Sequence, residues 1–211
     1  MGMTAVDRLI AVARADIGVT ESPPGSNRTK YGAAYGWDGV PWCVEFLWYI
    51  FTKARLAYAF FGGAKTASCG TLLQWYKAGG MVVAAEEARA GDILLTNFHG
   101  GKDPEHCGLV IGAGDGWIRT IEGNTSNGGS QDNGGAVCEK VRVYRQVVAV
   151  LRPQYKDEPE TDWEGHWAAE HIRRAIDHGI MTGYEDGTFR PDRDVTRAEL
   201  AVILDRLGLL D

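Results

Sequence analysis

No two of the four cysteines (Cys43, Cys69, Cys107 and Cys138) stand at Cys-x-x-Cys spacing, and four thiols in 211 residues are too few to build a disulfide-held scaffold. The spacing therefore supports neither a zinc centre nor a dithiol redox motif. An excess of positive charge is also missing, because 22 Lys and Arg stand against 28 Asp and Glu, for a formal net charge of −6. That balance argues against nucleic acid as a partner and against a basic face for a membrane. No apolar run is long enough to span a bilayer. The segment Met1–Ala15 breaks its apolar residues with charges at helical spacing, so it reads as an amphipathic helix and not as a signal peptide. A hydrophobic fraction of 45% is ordinary for a globular chain, and 211 residues leave room for two domains.

The chemistry-bearing stretch is Pro41-Trp-Cys43, which opens the apolar, helix-length run Val44-Glu-Phe-Leu-Trp-Tyr-Ile-Phe51. A thiol at a helix start faces unpaired backbone N–H groups and the positive end of the helix dipole, and both favour thiolate, the nucleophilic form. Downstream, His106 begins the strand-like run His-Cys-Gly-Leu-Val-Ile-Gly, and Glu122 and Asn124 follow in Thr-Ile-Glu-Gly-Asn-Thr. Nucleophile, base and orienting group are thus all present. Singly, each has a plainer reading: a cysteine before an apolar helix is usually a buried small hydrophobe, and a lone histidine is structural. Glu122 is more telling, because a carboxylate in an apolar strand needs a partner to offset its desolvation, and His106 is the obvious one. Cys69, Cys107 and Cys138 read as structural, with Cys107 a packed thiol on the strand face opposite His106. His99, in a glycine-rich loop, reads as a residue at the rim of the cleft.

Gly114-Asp115-Gly116 is a turn signal between two apolar β-prone segments, about 107–112 and 117–124. A three-residue turn centred on Asp115, or an equivalent bulge, places His106 opposite Asn124. A plain two-residue turn at Asp115-Gly116 puts them on opposite faces. The expected register is the first.

From about Ala15 to Pro153 the chain resembles a CHAP domain, a papain-like cysteine amidohydrolase/peptidase of bacterial and phage cell-wall enzymes. The resemblance is carried by Glu21-Ser-Pro-Pro-Gly-Ser-Asn-Arg-Thr-Lys-Tyr31, Pro41-Trp-Cys43, Ala90-Gly-Asp-Ile-Leu94, His106-Cys-Gly-Leu-Val110 and Ile121-Glu-Gly-Asn-Thr125, in that order. It implies Cys43 as nucleophile, His106 as general base then acid, Glu122 as its orienter and Asn124 as a supporting polar group, and it leaves open which of the last two contacts the imidazole. It implies no cofactor. One subset of the family binds calcium through an Asp-rich loop before the cysteine; here the stretch Asn27–Asp38 lacks three carboxylate-type ligands, so no calcium site is expected.

After Leu151-Arg-Pro, the polar stretch 154–161 reads as a linker. Beyond it, Trp167–His178 has apolar positions at helical spacing stopped by Gly179. Thr196–Leu207 reads as a second helix, with Thr196 and Glu199 forming a capping box. Gly165-His-Trp167, Gly179-Ile180, Gly183-Tyr-Glu-Asp-Gly-Thr-Phe-Arg-Pro191 and Val195-Thr-Arg-Ala-Glu199 resemble a surface-layer homology (SLH) module. That resemblance implies attachment to a secondary cell-wall polysaccharide, often bearing a pyruvate ketal, through Arg197, Trp167, Thr196, Glu199 and Gly183. Arg197 suits a carboxylate ligand, and Trp167 offers a face for a sugar ring; the plainer readings are a surface ion pair of Arg197 with Glu199 or Asp194, and Trp167 in the core. Such modules usually come in threes, and a single one leaves apolar helix surface uncovered, so self-association is expected.

The expected architecture is α+β: a papain-like CHAP domain over 1–153, with N-terminal helices packed on an antiparallel sheet, a linker over 154–161, and a small all-α SLH module over 162–211. The expected function is that of a phage endolysin, a peptidoglycan hydrolase made in the host cytoplasm and acting at the cell wall. N-acetylmuramoyl-L-alanine amidase is the first choice, stem or cross-bridge endopeptidase the alternative, and a non-catalytic wall-binding virion protein the reading from another class. Expected partners are bacterial peptidoglycan and the secondary wall polysaccharide, without nucleic acid or membrane.

Overall fold

A computed structural model describes residues 3–156, 161–163, 166–184 and 188–210. Part of the linker, Gly165 and the loop residues 185–187 lie outside the described residues. The chain divides into two compact units, Met1–Lys156 and Asp157–Asp211.

In the first unit, helix α1 (Ala5–Ala15) begins at a reciprocal capping box of Thr4 and Asp7 and buries Leu9 and Ala13. Helix α2 (Lys30–Tyr35) is capped by Thr29 and stopped by Gly36 at φ 89°. Helices α3 (Cys43–Lys53), α4 (Ala57–Phe61) and α5 (Cys69–Ala78) follow. The strands are β1 (Val82–Val83), β2 (Ile93–Thr96), β3 (His106–Gly114), β4 (Trp117–Thr125), β5 (Ala136–Val143) and β6 (Val147–Leu151). They form one antiparallel sheet in the order β1-β6-β2-β3-β4-β5.

Alternation along the strands divides the core in two. Ile93, Leu95, Cys107, Leu109, Ile121, Ala149 and Leu151 face the helices and pack with Leu47, Ile50, Phe51, Phe60 and Leu72. Leu94, Val110, Ile118 and Val150 form a smaller cluster on the other face. Each fully buried aliphatic or aromatic side chain contributes about 1.5–3 kcal/mol to holding helices on sheet. Two glycines permit the close approaches that set the site. A Cβ on Gly123 would sit 2.5 Å from Phe46 and 2.7 Å from Trp42, so its absence lets α3 descend onto β4. A Cβ on Gly108 would lie 2.5 Å from Cγ of Glu122, whose side chain fills that space.

The β3–β4 hairpin closes with the two-residue turn Asp115-Gly116, since Gly114 pairs with Trp117. Alone, that turn would separate His106 from Asn124. The register shifts between Val110 and Gly112, however, so that Val110 pairs with Thr120 and Leu109 with Ile121. Extended to the start of β3, this register sets His106 opposite Asn124. The extra residue of a bulge thus restores the face relationship the site requires.

The first unit runs three residues past its expected end at 153. Tyr155 donates to the Gly91 carbonyl at 2.5 Å and lies over Phe51 with ring centroids 6.4 Å apart, and the Lys156 amide donates to the Tyr58 hydroxyl at 3.2 Å. The aromatic ring of Tyr155 outweighs the polar character of its neighbours.

In the second unit, helix α6 (Ala169–Asp177) ends before Gly179 at φ 68°, and helix α7 (Arg197–Arg206) starts at the expected Thr196–Glu199 capping box. Trp163 and Ile172 are its buried anchors. Val195, Leu200, Val202, Leu207, Leu209 and Leu210 remain exposed, which is the uncovered apolar surface expected of a single module.

Candidate active site

Cys43 is the first residue of α3 and is 6% exposed. The N-cap residue Trp42 gives no side-chain cap, so the first-turn N–H groups are left for the thiolate and for an oxyanion. The Trp42 indole instead donates to Oε1 of buried Glu21 at 3.1 Å, tying the turn that carries Cys43 to the N-terminal segment.

His106 is fully buried at the start of β3, and its Nε2 lies 3.0 Å from Oε2 of Glu122. The direct contact therefore belongs to Glu122. Asn124, fully buried at φ 59°, leaves both amide atoms without hydrogen-bond partners among the described residues. The second imidazole nitrogen, Nδ1, is buried and likewise meets no partner at full hydrogen-bond geometry. It is the nitrogen left for Cys43, whose thiol and the His106 ring stand close enough to shift one another's protonation.

Glu122 is held by more than the histidine. Thr120 donates to its Oε1 at 2.6 Å, Arg142 Nε donates to Oε1 at 2.8 Å, and Arg142 Nη2 to Oε2 at 2.5 Å. Arg142 is itself buried, lies 4.6 Å over the Phe98 ring and donates to Oε1 of Gln131 at 3.0 Å. The sequence reading missed this arginine. Its only signal was a cation on a strand of otherwise alternating pattern, where a solvated position is the usual reading.

The electrostatics follow from these contacts. Burial disfavours the Glu122 carboxylate, but the bonds from Arg142 and His106 outweigh it and bring the pKa to about 2. Burial likewise opposes charge on His106, yet its bonds to Cys43 and Glu122 raise it to about 9. The Cys43 thiol is held well below its ordinary range by hydrogen bonds from Cys107 and then Cys69, with a further contribution from His106. Both directions favour a thiolate at Cys43 beside an imidazolium at His106.

The placement of Cys69 and Cys107 goes beyond the expectation of packed structural thiols. Cys107 does face away from His106, into the main core, but its sulfur and those of Cys43 and Cys69 all lie within 4.8 Å of one another. Strand alternation placed Cys107 correctly; what sequence spacing hid is that α3 and α5 each begin with a cysteine directed at that same point. Cys138 is buried on β5 at the position paired with Glu122. His99 is exposed and pairs with Glu105 at 2.9 Å.

In the second unit, a cavity of about 490 Å³ is lined by residues that include Gly183, Tyr184, Arg193, Glu199 and Arg206. Of the expected binding residues, Gly183 and Glu199 line it, whereas Arg197, Trp167 and Thr196 do not. A Cβ on Gly183 would lie 2.8 Å from the Thr188 carbonyl, which explains the glycine. Thr196 and Glu199 also serve the α7 cap. Trp167 is 87% exposed, so the core reading for it is wrong. Glu199 pairs with Arg193 at 3.5 Å, and Arg197 makes no ion pair among the described residues.

Residues 34–124 match the CHAP domain and residues 161–201 match the S-layer homology domain. The chain is 49% identical over 43 residues to Outer membrane protein SlpA of Deinococcus radiodurans, covering 20% of this chain and 4% of that protein. It is 40% identical over 52 residues to the Cellulosome-anchoring protein of Acetivibrio thermocellus, covering 23% and 12% respectively. The chain thus spans only a small part of these relatives. Among solved structures, it is similar to the wild type endolysin LysIME-EF1, with 13% identity, a TM-score of 0.43, and 73% of this chain and 66% of that one covered. It is also similar to the NlpC/p60 domain of peptidoglycan hydrolase SagA, with 18% identity, a TM-score of 0.37, and 69% and 97% covered. A thiol at a helix start, a buried histidine and its carboxylate thus stand within and at the edge of a recognised domain, and the chain carries a CHAP domain followed by an S-layer homology domain.

Proposed function

We propose that the chain is a peptidoglycan hydrolase of the endolysin kind, with Cys43, His106 and Glu122 as the catalytic set and Asn124 as a supporting polar group. The observation that carries the reading is the buried His106–Glu122 bond, 3.0 Å long, beside a thiol at the first turn of a helix. The Cys43 thiolate attacks an amide carbonyl, and the first-turn N–H groups take up the oxyanion. The His106 imidazolium protonates the departing amine and then, as a base, draws a proton from the water that clears the acyl-enzyme. Glu122 keeps the ring oriented and offsets its charge. The bond proposed is the lactyl amide between muramic acid and L-alanine; cutting within the stem or cross-bridge peptide would use the same groups.

The second unit supplies wall attachment in this reading. It matches the S-layer homology domain, and the relatives named above include a cellulosome-anchoring protein. Its ligand is a secondary wall polysaccharide, its exposed apolar surface supports self-association, and the enzyme is made in a phage-infected host before reaching the wall. Mass spectrometry of purified peptidoglycan digested by the wild type and by Cys43→Ala tests the reading. New fragments from the wild type alone are expected, with masses that identify the lactyl amide. No fragments from either, on walls that both bind, would overturn the hydrolase reading in favour of a wall-binding protein.

A further inference from the structure

We propose that Cys43, Cys69 and Cys107 form a binding site for a thiophilic divalent cation of the zinc class, which engages the nucleophile. The three sulfurs come from three elements, the first residue of α3, the first residue of α5 and the second residue of β3. They converge within 4.8 Å of one another at exposures of 6%, 8% and 1%. A zinc–thiolate bond of about 2.3 Å in tetrahedral geometry sets sulfurs about 4 Å apart. Small side-chain rotations therefore bring this cluster to metal-binding distances.

A cation bound to this cluster would engage the sulfur that His106 faces: His106 is fully buried and its ring interacts with the Cys43 thiol. Its Nε2 is bonded to Glu122 at 3.0 Å. Three sulfurs supply three of the four ligands of a tetrahedral zinc, and the fourth position is left for water. Each thiol that ligates gives its proton to solvent, and no electrons move. The soft donors favour zinc or cadmium over calcium or magnesium. Cation binding stands independently of the hydrolase reading; only its consequence, a blocked nucleophile, rests on that reading.

The His99, Glu105 and Asp132 side chains form a second cluster that could also take up zinc, but it is exposed or half-buried. The test is accordingly made on the full chain carrying His99→Ala, reduced and stripped of metal. Zinc is added, excess is removed by gel filtration, and retained metal is measured together with iodoacetamide labelling of each cysteine by peptide mass spectrometry. The expected result is about one zinc per chain and protection of Cys43 from labelling, both reversed by a chelator. Adding Cys69→Ser and Cys107→Ser should abolish both. Because those substitutions touch the core, cadmium is also added to the chain with all cysteines intact, where the ultraviolet thiolate-to-metal band should have the intensity of three bonded thiolates. Equal zinc retention by a folded double-serine variant, unchanged Cys43 labelling with zinc present, or a cadmium band of one thiolate would each overturn the proposal. If the chain binds zinc in this way and its metal-free form releases no wall fragments, the hydrolase reading fails and the metal site stands.

Discussion

Arg142 and Glu122 meet through two parallel hydrogen bonds, Nε to Oε1 at 2.8 Å and Nη2 to Oε2 at 2.5 Å, with side-chain exposures of 4% and 1%. The fork fixes the carboxylate in the plane from which it accepts from His106. Arg142 touches no reacting atom in the proposed mechanism; it is a positioning residue.

Replacing it by methionine leaves Glu122 charged, buried and short of its strongest partner. A buried pair broken on one side costs on the order of 3–5 kcal/mol, so the Arg142→Met variant should show a clear loss of thermal stability. Turnover should also fall, by roughly 10–100-fold in kcat with less change in KM, because a mispositioned base costs that much. Arg142→Lys restores the charge but not the fork and should recover stability more than rate. Equal recovery of both would show that charge alone matters there.

The Glu122 pKa also fixes a pH window for stability. A carboxylate whose folded pKa is about 2, below its ordinary value, stabilises the fold fully above the ordinary value. That contribution drains away as pH falls toward 2. Denaturant midpoints measured from pH 6 down to pH 3 should therefore decline more steeply for the wild type than for Glu122→Gln. Parallel curves would mean that the network contributes nothing to folding.

The proposed Cys43–His106 ion pair sets a different window. The Cys43 thiol is held well below its ordinary range and His106 is raised to about 9. Wall digestion should accordingly stay high through neutral pH and fall on an alkaline limb near 9, as the imidazolium that protonates the leaving amine is lost. A profile still rising at pH 10 would contradict this assignment.

Glu45, on the same helix as the nucleophile, presents the opposite case. It is fully buried, neither carboxylate oxygen has a hydrogen-bond partner among the described residues, and burial, then Asp38 and Cys43, raise its pKa to about 7. A raised carboxylate pKa contributes stability that is complete below the ordinary value and disappears as pH rises through 7. The Glu45→Gln variant cannot ionise, so its advantage over the wild type should grow between pH 5 and pH 8, by roughly 1–3 kcal/mol. Denaturation midpoints at the two pH values would measure it, and a constant difference would show that Glu45 ionises freely in the folded state.

The parts of the site written in local order were legible in the sequence. The proline-bounded start of α3, the His106 strand and the Glu122–Asn124 tail each rest on periodicity or turn chemistry, and each stands where it was expected. The hairpin shows the limit. Turn residues alone gave two registers, and the deciding feature, a bulge between Val110 and Gly112, has no composition signal. Arg142 and the Cys69–Cys107 pair are further from view, because they are brought to Glu122 and Cys43 by strand order and helix packing across distances that no local pattern records. The SLH-like motif placed Arg197 on the first turn of α7 but not its orientation, and the cavity is lined by Arg193 instead.

That difference separates two accounts of wall attachment. Arg193 lines the cavity, pairs with Glu199 and lies 5.0 Å from the Tyr184 ring, which also has Arg190 4.4 Å away. Two guanidinium groups around one aromatic ring form a cationic, flat-walled recess suited to an acidic sugar. Arg197, exposed and outside the cavity, would contact a ligand only on the helix surface. Pull-down of the chain on purified walls should therefore weaken about tenfold or more for Arg193→Ala and change little for Arg197→Ala, with the circular dichroism of both variants checked against the wild type. Glu199→Gln separates the cap from the ligand: it keeps a side chain able to cap Thr196 while removing the negative charge beside Arg193, so it should preserve or strengthen binding to an anionic polysaccharide. Loss of binding in Arg197→Ala alone would move the site out of the cavity and onto the first turn of α7.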